Sequence, residues 1–263
     1  MTENRSVPIV FIGAGNLAVN LALALHQKGF DIVQVYSRTE ESARSLAEKI
    51  NSEWTIDLEE VTTQAELYIV SLKDSALVEL FPQIAKGKER ALLVHTAGSI
   101  SMDVWVGEAT RYGVLYPMQT FSKQRIVDFK EIPFFIEANQ REDVELLKSV
   151  ASVLSNKVFE ADSVQRRSLH LAAVFACNFT NHMYVLTADL LEKYRLPFDV
   201  MLPLIDETAR KVHELPPLAA QTGPAVRNDE EVMNKHLEML SEWPEMKEIY
   251  RLLSESIAAR HHE

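Results

Sequence analysis

The chain has 263 residues, 47% of them hydrophobic and 25% charged, the balance of a globular protein with a full core and room for two domains. A formal net charge of -11 works against nucleic acid and anionic membranes as partners. The single cysteine, Cys177, excludes an internal disulfide and fits a reducing cytoplasm, and no uncharged apolar run approaches the ~20 residues that cross a bilayer.

The first half alternates strand-like and helix-like segments. A polar N-terminus, without the apolar core of a signal peptide, leads straight into a β-rich run over 7–12, so a cytoplasmic location is expected. Helical periodicity follows over 17–28, with Gly29 as the cap, then a strand over 32–36 and a helix over 40–50. Short apolar strands are predicted at 67–72, 91–95 and 113–115, separated by helical or turn segments. Such alternation implies βαβ crossovers and a mostly parallel, doubly wound sheet. A further strand at 133–138, a helix over 141–155 and a strand at 157–159 complete this half. After Asp162 the pattern changes to a helix over 163–194 without glycine or proline, then helices near 200–214, 228–241 and 244–260. The expectation is an α/β chain: a Rossmann dinucleotide-binding domain over 1–161 and an all-helical substrate domain over 162–263.

Gly13, Gly15 and Ala18 form a G-x-G-x-x-A turn between the first strand and the first helix. The first glycine permits the tight turn, the second leaves room for a pyrophosphate, and the alanine lets helix and sheet pack closely. Amides at the helix start, through Asn16 and Leu17, then point at the phosphates. An NAD enzyme places Asp or Glu at the end of the second strand, ~20 residues on. This chain has Ser37, Arg38 and Thr39 there. Arg38 suits a 2′-phosphate and the two hydroxyls can bond to it, so NADP is expected rather than NAD. The alternative is that Arg38 is a solvated surface charge.

The chain resembles a bacterial family of Rossmann-like oxidoreductases with a C-terminal domain of unknown function. The resemblance rests on Gly13-Ala14-Gly15-Asn16, Val94-His95-Thr96-Ala97-Gly98-Ser99, Tyr116-Pro117-Met118-Gln119-Thr120-Phe121, Leu169-His170-Leu171-Ala172-Ala173, Asn178, the segment from Thr222 to Asp229, and His236. At Tyr116 that family commonly has histidine, a departure. The N-terminal half also resembles pyrroline-5-carboxylate reductases and deazaflavin-dependent NADP reductases. The resemblance implies a fold like the 6-phosphogluconate dehydrogenase superfamily and a homodimer formed through the helical domain.

Ligands of open α/β sheets bind beyond the carboxyl ends of the strands. Ser71, Thr96 and Gly98 are accordingly expected near the cofactor, and Tyr116, Gln119 and Thr120 near the substrate. His95 is read either as a general acid or substrate ligand, or as a histidine that bonds its own loop. Gly98 is read as admitting the nicotinamide ribose. On the long helix His170, Val174 and Asn178 share an i, i+4, i+8 ridge, with Asn181 and His182 one turn further on. His170 is the preferred proton donor and Asn178 the orienting group, against a structural interdomain histidine. Thr222 and Arg227 are candidates for the substrate, Arg227 to clamp a carboxylate or phosphate unless it pairs with Asp229 or caps the dimer interface. His236 reads as an exposed-helix or interface residue, and Cys177 as a small hydrophobe. No His, Cys and carboxylate set has metal spacing, so no metal is expected. The leading reading is hydride transfer between NADP and a small polar carbonyl or imine bearing a carboxylate, bound between the domains. The chain lacks an obvious catalytic lysine of the kind hydroxyacid dehydrogenases carry, which keeps a noncatalytic NADP-binding sensor as the second reading.

Overall fold

The computed structural model describes residues 7–262. Eight strands form one sheet in the order β3-β2-β1-β4-β5-β6-β7-β8. In chain order these are β1 (Ile9–Ile12), β2 (Ile32–Tyr36), β3 (Glu53–Thr55), β4 (Leu67–Val70), β5 (Leu92–His95), β6 (Arg111–Pro117), β7 (Phe134–Ala138) and β8 (Val158–Glu160). β1 to β6 pair in parallel, β7 runs antiparallel to β6, and β8 is parallel to β7. The order from β3 through β6 is that of a Rossmann sheet, with the order of strand addition switching sides between β1 and β4. At that switch point the carboxyl ends of the strands open towards a ligand.

The helices of the first half are α1 (Asn16–Gln27), α2 (Glu40–Ile50), α3 (Asp74–Ala85) and α4 (Arg141–Leu154). β1, β4 and β5 are buried along their whole length, because helices cover both sheet faces. Alternation along β1 sends Ile9 and Phe11 into one core layer and Val10 and Ile12 into the other. α2 buries Ala43, Leu46, Ala47 and Ile50, an i, i+3, i+4, i+7 stripe. Asp143 of α4 is fully buried, and its charge is met by the Arg111 guanidinium at the start of β6.

α5 (Ser163–Ala173) starts at a capping box made by Asp162 and Gln165. The helix then widens into a π-turn over Val174–Phe179 and resumes as α6 (Thr180–Lys193). A long helix was expected over this stretch; its π-turn was not. Residues 1–177 group as one compact unit and 178–263 as a second, so α5 packs with the sheet although it lies beyond the boundary expected at Ala161. The second unit continues through α7 (Leu202–Glu214), α8 (Pro217–Ala220), α9 (Glu230–Met239) and α10 (Pro244–His262). It is all helical, and no helix among the described residues is long and apolar enough to cross a membrane.

Candidate functional site

The dinucleotide turn is shaped for an approaching backbone and phosphate. Gly13 has φ +115, and a Cβ there would meet the Ser71 carbonyl oxygen at 2.2 Å, so no other residue fits. Its amide donates to the Tyr36 carbonyl at 2.8 Å, tying the turn to the end of β2. Gly15, by contrast, has open space where its Cβ would stand. It caps α1 without a side-chain hydrogen bond, and the first turn of that helix holds no acidic residue. Amides at the start of α1 are thus left for an anion, which the helix dipole favours. Ala18 is fully buried against the sheet, and Leu17 is half-buried.

Asn16 stands at the helix start, but its side-chain amide donates to the Phe121 carbonyl at 3.1 Å. One turn on, Asn20 is fully buried. It donates to the Ser122 carbonyl at 3.0 Å and accepts from the Val127 amide at 3.0 Å. Together these bonds pin the loop after β6 beside the phosphate turn. Asn20 was missed in the sequence, where its signal was a polar residue inside the apolar stripe of α1.

At the end of β2, Arg38 and Thr39 are exposed and Ser37 is half-exposed. Glu40 pairs with Arg44, and among the described residues Arg38 has no ion pair. These residues and the helix start together fit a dinucleotide with a 2′-phosphate. Ser71 follows β4, and its amide donates to the Ile12 carbonyl beside Gly13 at 2.8 Å.

A second group of residues gathers at the ends of β5 and β6. Tyr116 is nearly buried, and its hydroxyl lies 3.2 Å from Nδ1 of the half-buried His170 on α5. The rings meet edge to face at 6.2 Å. A Cβ on Gly98 would fall 2.7 Å from His170 Nδ1 and 2.8 Å from Tyr116 Cζ. Gly98 therefore makes room for this pair. Burial pushes the Tyr116 phenol above its ordinary pKa, the Arg166 charge opposes that rise, and Cys177 adds to it.

His95 is fully buried, and burial first, then the charge of Arg166, depress its pKa to about 3. A ring held neutral in this way does not act as an imidazolium acid at neutral pH. Its Nδ1 accepts from the Ala97 amide at 3.2 Å, so it holds its own loop, the second of its two readings. Thr96 is buried beside it, its amide donating to the Val70 carbonyl at 3.1 Å. Gln119 and Thr120 are exposed, with Gln119 Oε1 accepting from the Thr120 amide at 2.8 Å.

Asn178 lies in the π-turn, so the α-helical spacing on which the ridge of His170, Val174 and Asn178 was placed does not hold there. Cys177 is exposed, not packed as a core hydrophobe. Within the second unit, Thr222 lines an apolar cavity of about 350 Å³ together with Gly223, Pro224 and Tyr250. Arg227 is exposed, and its backbone amide donates to the Pro224 carbonyl at 3.2 Å. Asp229 accepts from the Val232 amide at 3.3 Å as the cap of α9, and no ion pair joins it to Arg227 among the described residues. His236 Nδ1 lies 2.9 Å from the Tyr250 hydroxyl.

The fold and the turn define a dinucleotide-binding protein. Residues 8–98 match the family described as NADP oxidoreductase, coenzyme F420-dependent, and residues 132–257 match a domain of unknown function, DUF2520. A crystal structure of a candidate NADP oxidoreductase from Bacteroides fragilis is 68% identical to this chain. It superposes with a TM-score of 0.94, the alignment covering 97% of this chain and 99% of that one. An imine reductase from Myxococcus stipitatus in complex with NADP+ shares the fold at 16% identity and a TM-score of 0.67, over 96% of this chain and 92% of its own. A 1-pyrroline-5-carboxylate reductase from Streptococcus pyogenes does so at 13% identity and 0.62, over 97% and 99%. No curated protein matches. The chain belongs to the family of the Bacteroides protein, NADP oxidoreductases that join a Rossmann domain to a DUF2520 domain.

Proposed function

We propose that the protein is an NADP-dependent reductase of a small C=N or C=O compound, with Tyr116 and His170 delivering the proton. The observation that carries this reading is the hydroxyl-to-imidazole contact of 3.2 Å at the carboxyl end of β6. That strand runs parallel to β1 through β4 and β5 and so ends on the sheet edge that carries the dinucleotide turn. NADPH, when bound, supplies the hydride that reduces the substrate carbon. The chain's own part is to move a proton to the substrate nitrogen or oxygen. With the phenol donating to Nδ1, the neutral imidazole carries its proton on Nε2. Loss of that proton to the substrate is balanced by transfer of the Tyr116 proton to Nδ1. The ring ends neutral in its other tautomer and the phenol ends as phenolate, which water reprotonates. Such proton transfer by a positioned group contributes ~10²–10⁴-fold to rate. That fold neighbours are named for reducing imines and pyrroline carboxylate supports a C=N substrate first.

We also infer that the protein works as a homodimer through its helical unit. Support comes from Leu196, Val200, Leu202, Leu204 and Leu218, each about half exposed in the single chain. Apolar exposure of this kind marks an interaction surface.

NADPH oxidation against cyclic imines, 2-keto acids and aldehydes tests the activity. Turnover on at least one of these classes is expected. Tight NADPH binding without oxidation across the panel would overturn the reductase reading and favour an NADP sensor.

A further inference from the structure

Arg166 is fully buried, and sequence inspection gave no reason to single it out from Arg167 beside it. Its Nη1 donates to Glu137 Oε2 at 2.5 Å. Nη2 donates to the Ile100 carbonyl at 2.5 Å and to Ser163 Oγ at 3.2 Å. Ser163 braces the same carboxylate, through its hydroxyl at 2.8 Å and its amide at 3.1 Å, and accepts from the Met102 amide at 2.9 Å. The guanidinium is thereby locked between β7, α5 and the loop that follows β5.

A buried ion pair of this kind is poor value as a fastener. Desolvating two charges costs several kcal/mol, and apolar residues of similar size hold a helix to a sheet as well or better. The charge therefore calls for another account, and its surroundings supply one. Arg166 stands one turn before His170 on the same helix face. The carbonyl it grips belongs to Ile100, two residues after the Gly98 that gives Tyr116 and His170 their room. The titratable groups facing Tyr116 are His170, Arg166 and Cys177 from the helical stretch, with Glu137 of β7 held against Arg166. Arg166 favours the phenolate at Tyr116 and disfavours the imidazolium at His95.

We propose that Arg166 is a positioning residue for proton delivery. It holds the loop from Gly98 to Ile100 against the Tyr116–His170 pair and stabilises the phenolate that Tyr116 becomes when its proton passes to His170. This inference rests on the reading that the pair delivers the proton.

The test is a pH titration of tyrosinate absorbance on the full chain without cofactor. In each background the Tyr116 component is the difference from the same protein carrying Tyr116→Phe. Arg166→Gln should move the Tyr116 midpoint up by about one pH unit, a tenfold change in proton affinity. Glu137→Gln, which leaves the guanidinium without its counter-charge, should move it down. Should Arg166→Gln fail to fold, Arg166→Lys retains the charge and should keep the midpoint within a few tenths of a unit, while Glu137→Gln still moves it down. A purely structural role would move Arg166→Gln and Glu137→Gln the same way, and that result, or unmoved midpoints, would overturn the proposal. Opposite shifts in a protein whose Tyr116→Phe variant turns over at the full rate would instead overturn the reading of the pair, leaving the charge relation in place.

Discussion

The two units of this chain solve the problem of burial differently. In the first, β1, β4 and β5 are sealed on both faces, and buried polar groups such as Asp143, Asn20 and Arg166 have named partners. In the second, Ala225 and Leu240 are the buried hydrophobics among the described residues, while Leu204, Val200 and Leu218 stand more than half exposed. The difference teaches where each unit's stability comes from. The sheet unit carries its own core and can hold a site to fixed distances. The helical unit presents apolar faces that its own helices do not cover, which is the basis for reading it as a dimerisation surface.

The sharpest way to break that comparison is a core truncation set against a surface one. Phe11→Ala, at a fully buried site, should cost ~3–5 kcal/mol in denaturant unfolding. Leu204→Asn should leave unfolding of the monomer within ~0.5 kcal/mol and instead weaken self-association, read by analytical ultracentrifugation. Equal losses of stability would erase the distinction between the units.

Next in size is the cofactor end. Arg38→Glu should weaken NADPH binding about a hundredfold, ~2.7 kcal/mol, with NADH binding little changed. Equal loss for both nucleotides in calorimetry would remove Arg38 from the 2′-phosphate.

A pH-dependent effect comes from His95, whose pKa is depressed from 6.5 to about 3 in the folded chain. The unfolded chain takes up a proton below pH 6.5 that the folded one refuses. The stabilising contribution is therefore complete above pH 6.5 and falls as pH drops towards 3. The slope is at most ~1.4 kcal/mol per pH unit. His95→Asn should flatten that part of the stability profile, and an unchanged slope would show that the ring is not held neutral.

How much was legible follows the same division. The glycine turn, the apolar strands and the long helices all declare themselves through local patterns, because each is a short-range solution to a backbone or burial constraint. The exposed edge strand β3 was missed, since Glu53-Trp54-Thr55 carries no alternation strong enough to mark it. In the candidate site, Tyr116, His170 and Gly98 could each be singled out, but not their meeting. That contact joins residues 54 apart in the chain and depends on a glycine whose purpose is only visible in space. Arg166 was beyond reach for a plainer reason. Two adjacent arginines on a helix look alike until the carboxylate that buries one of them is located.

The central claim is that Tyr116 and His170 form one proton-delivering unit. It is tested most directly by the rate of substrate reduction in Tyr116→Phe, His170→Gln and the double variant, with NADPH affinity measured on the same preparations. The account predicts that each single variant loses ~10²–10⁴-fold in rate, that the double variant is no worse than the slower single one, and that NADPH binds as before. Full rates in either single variant, or losses that multiply in the double, would contradict it.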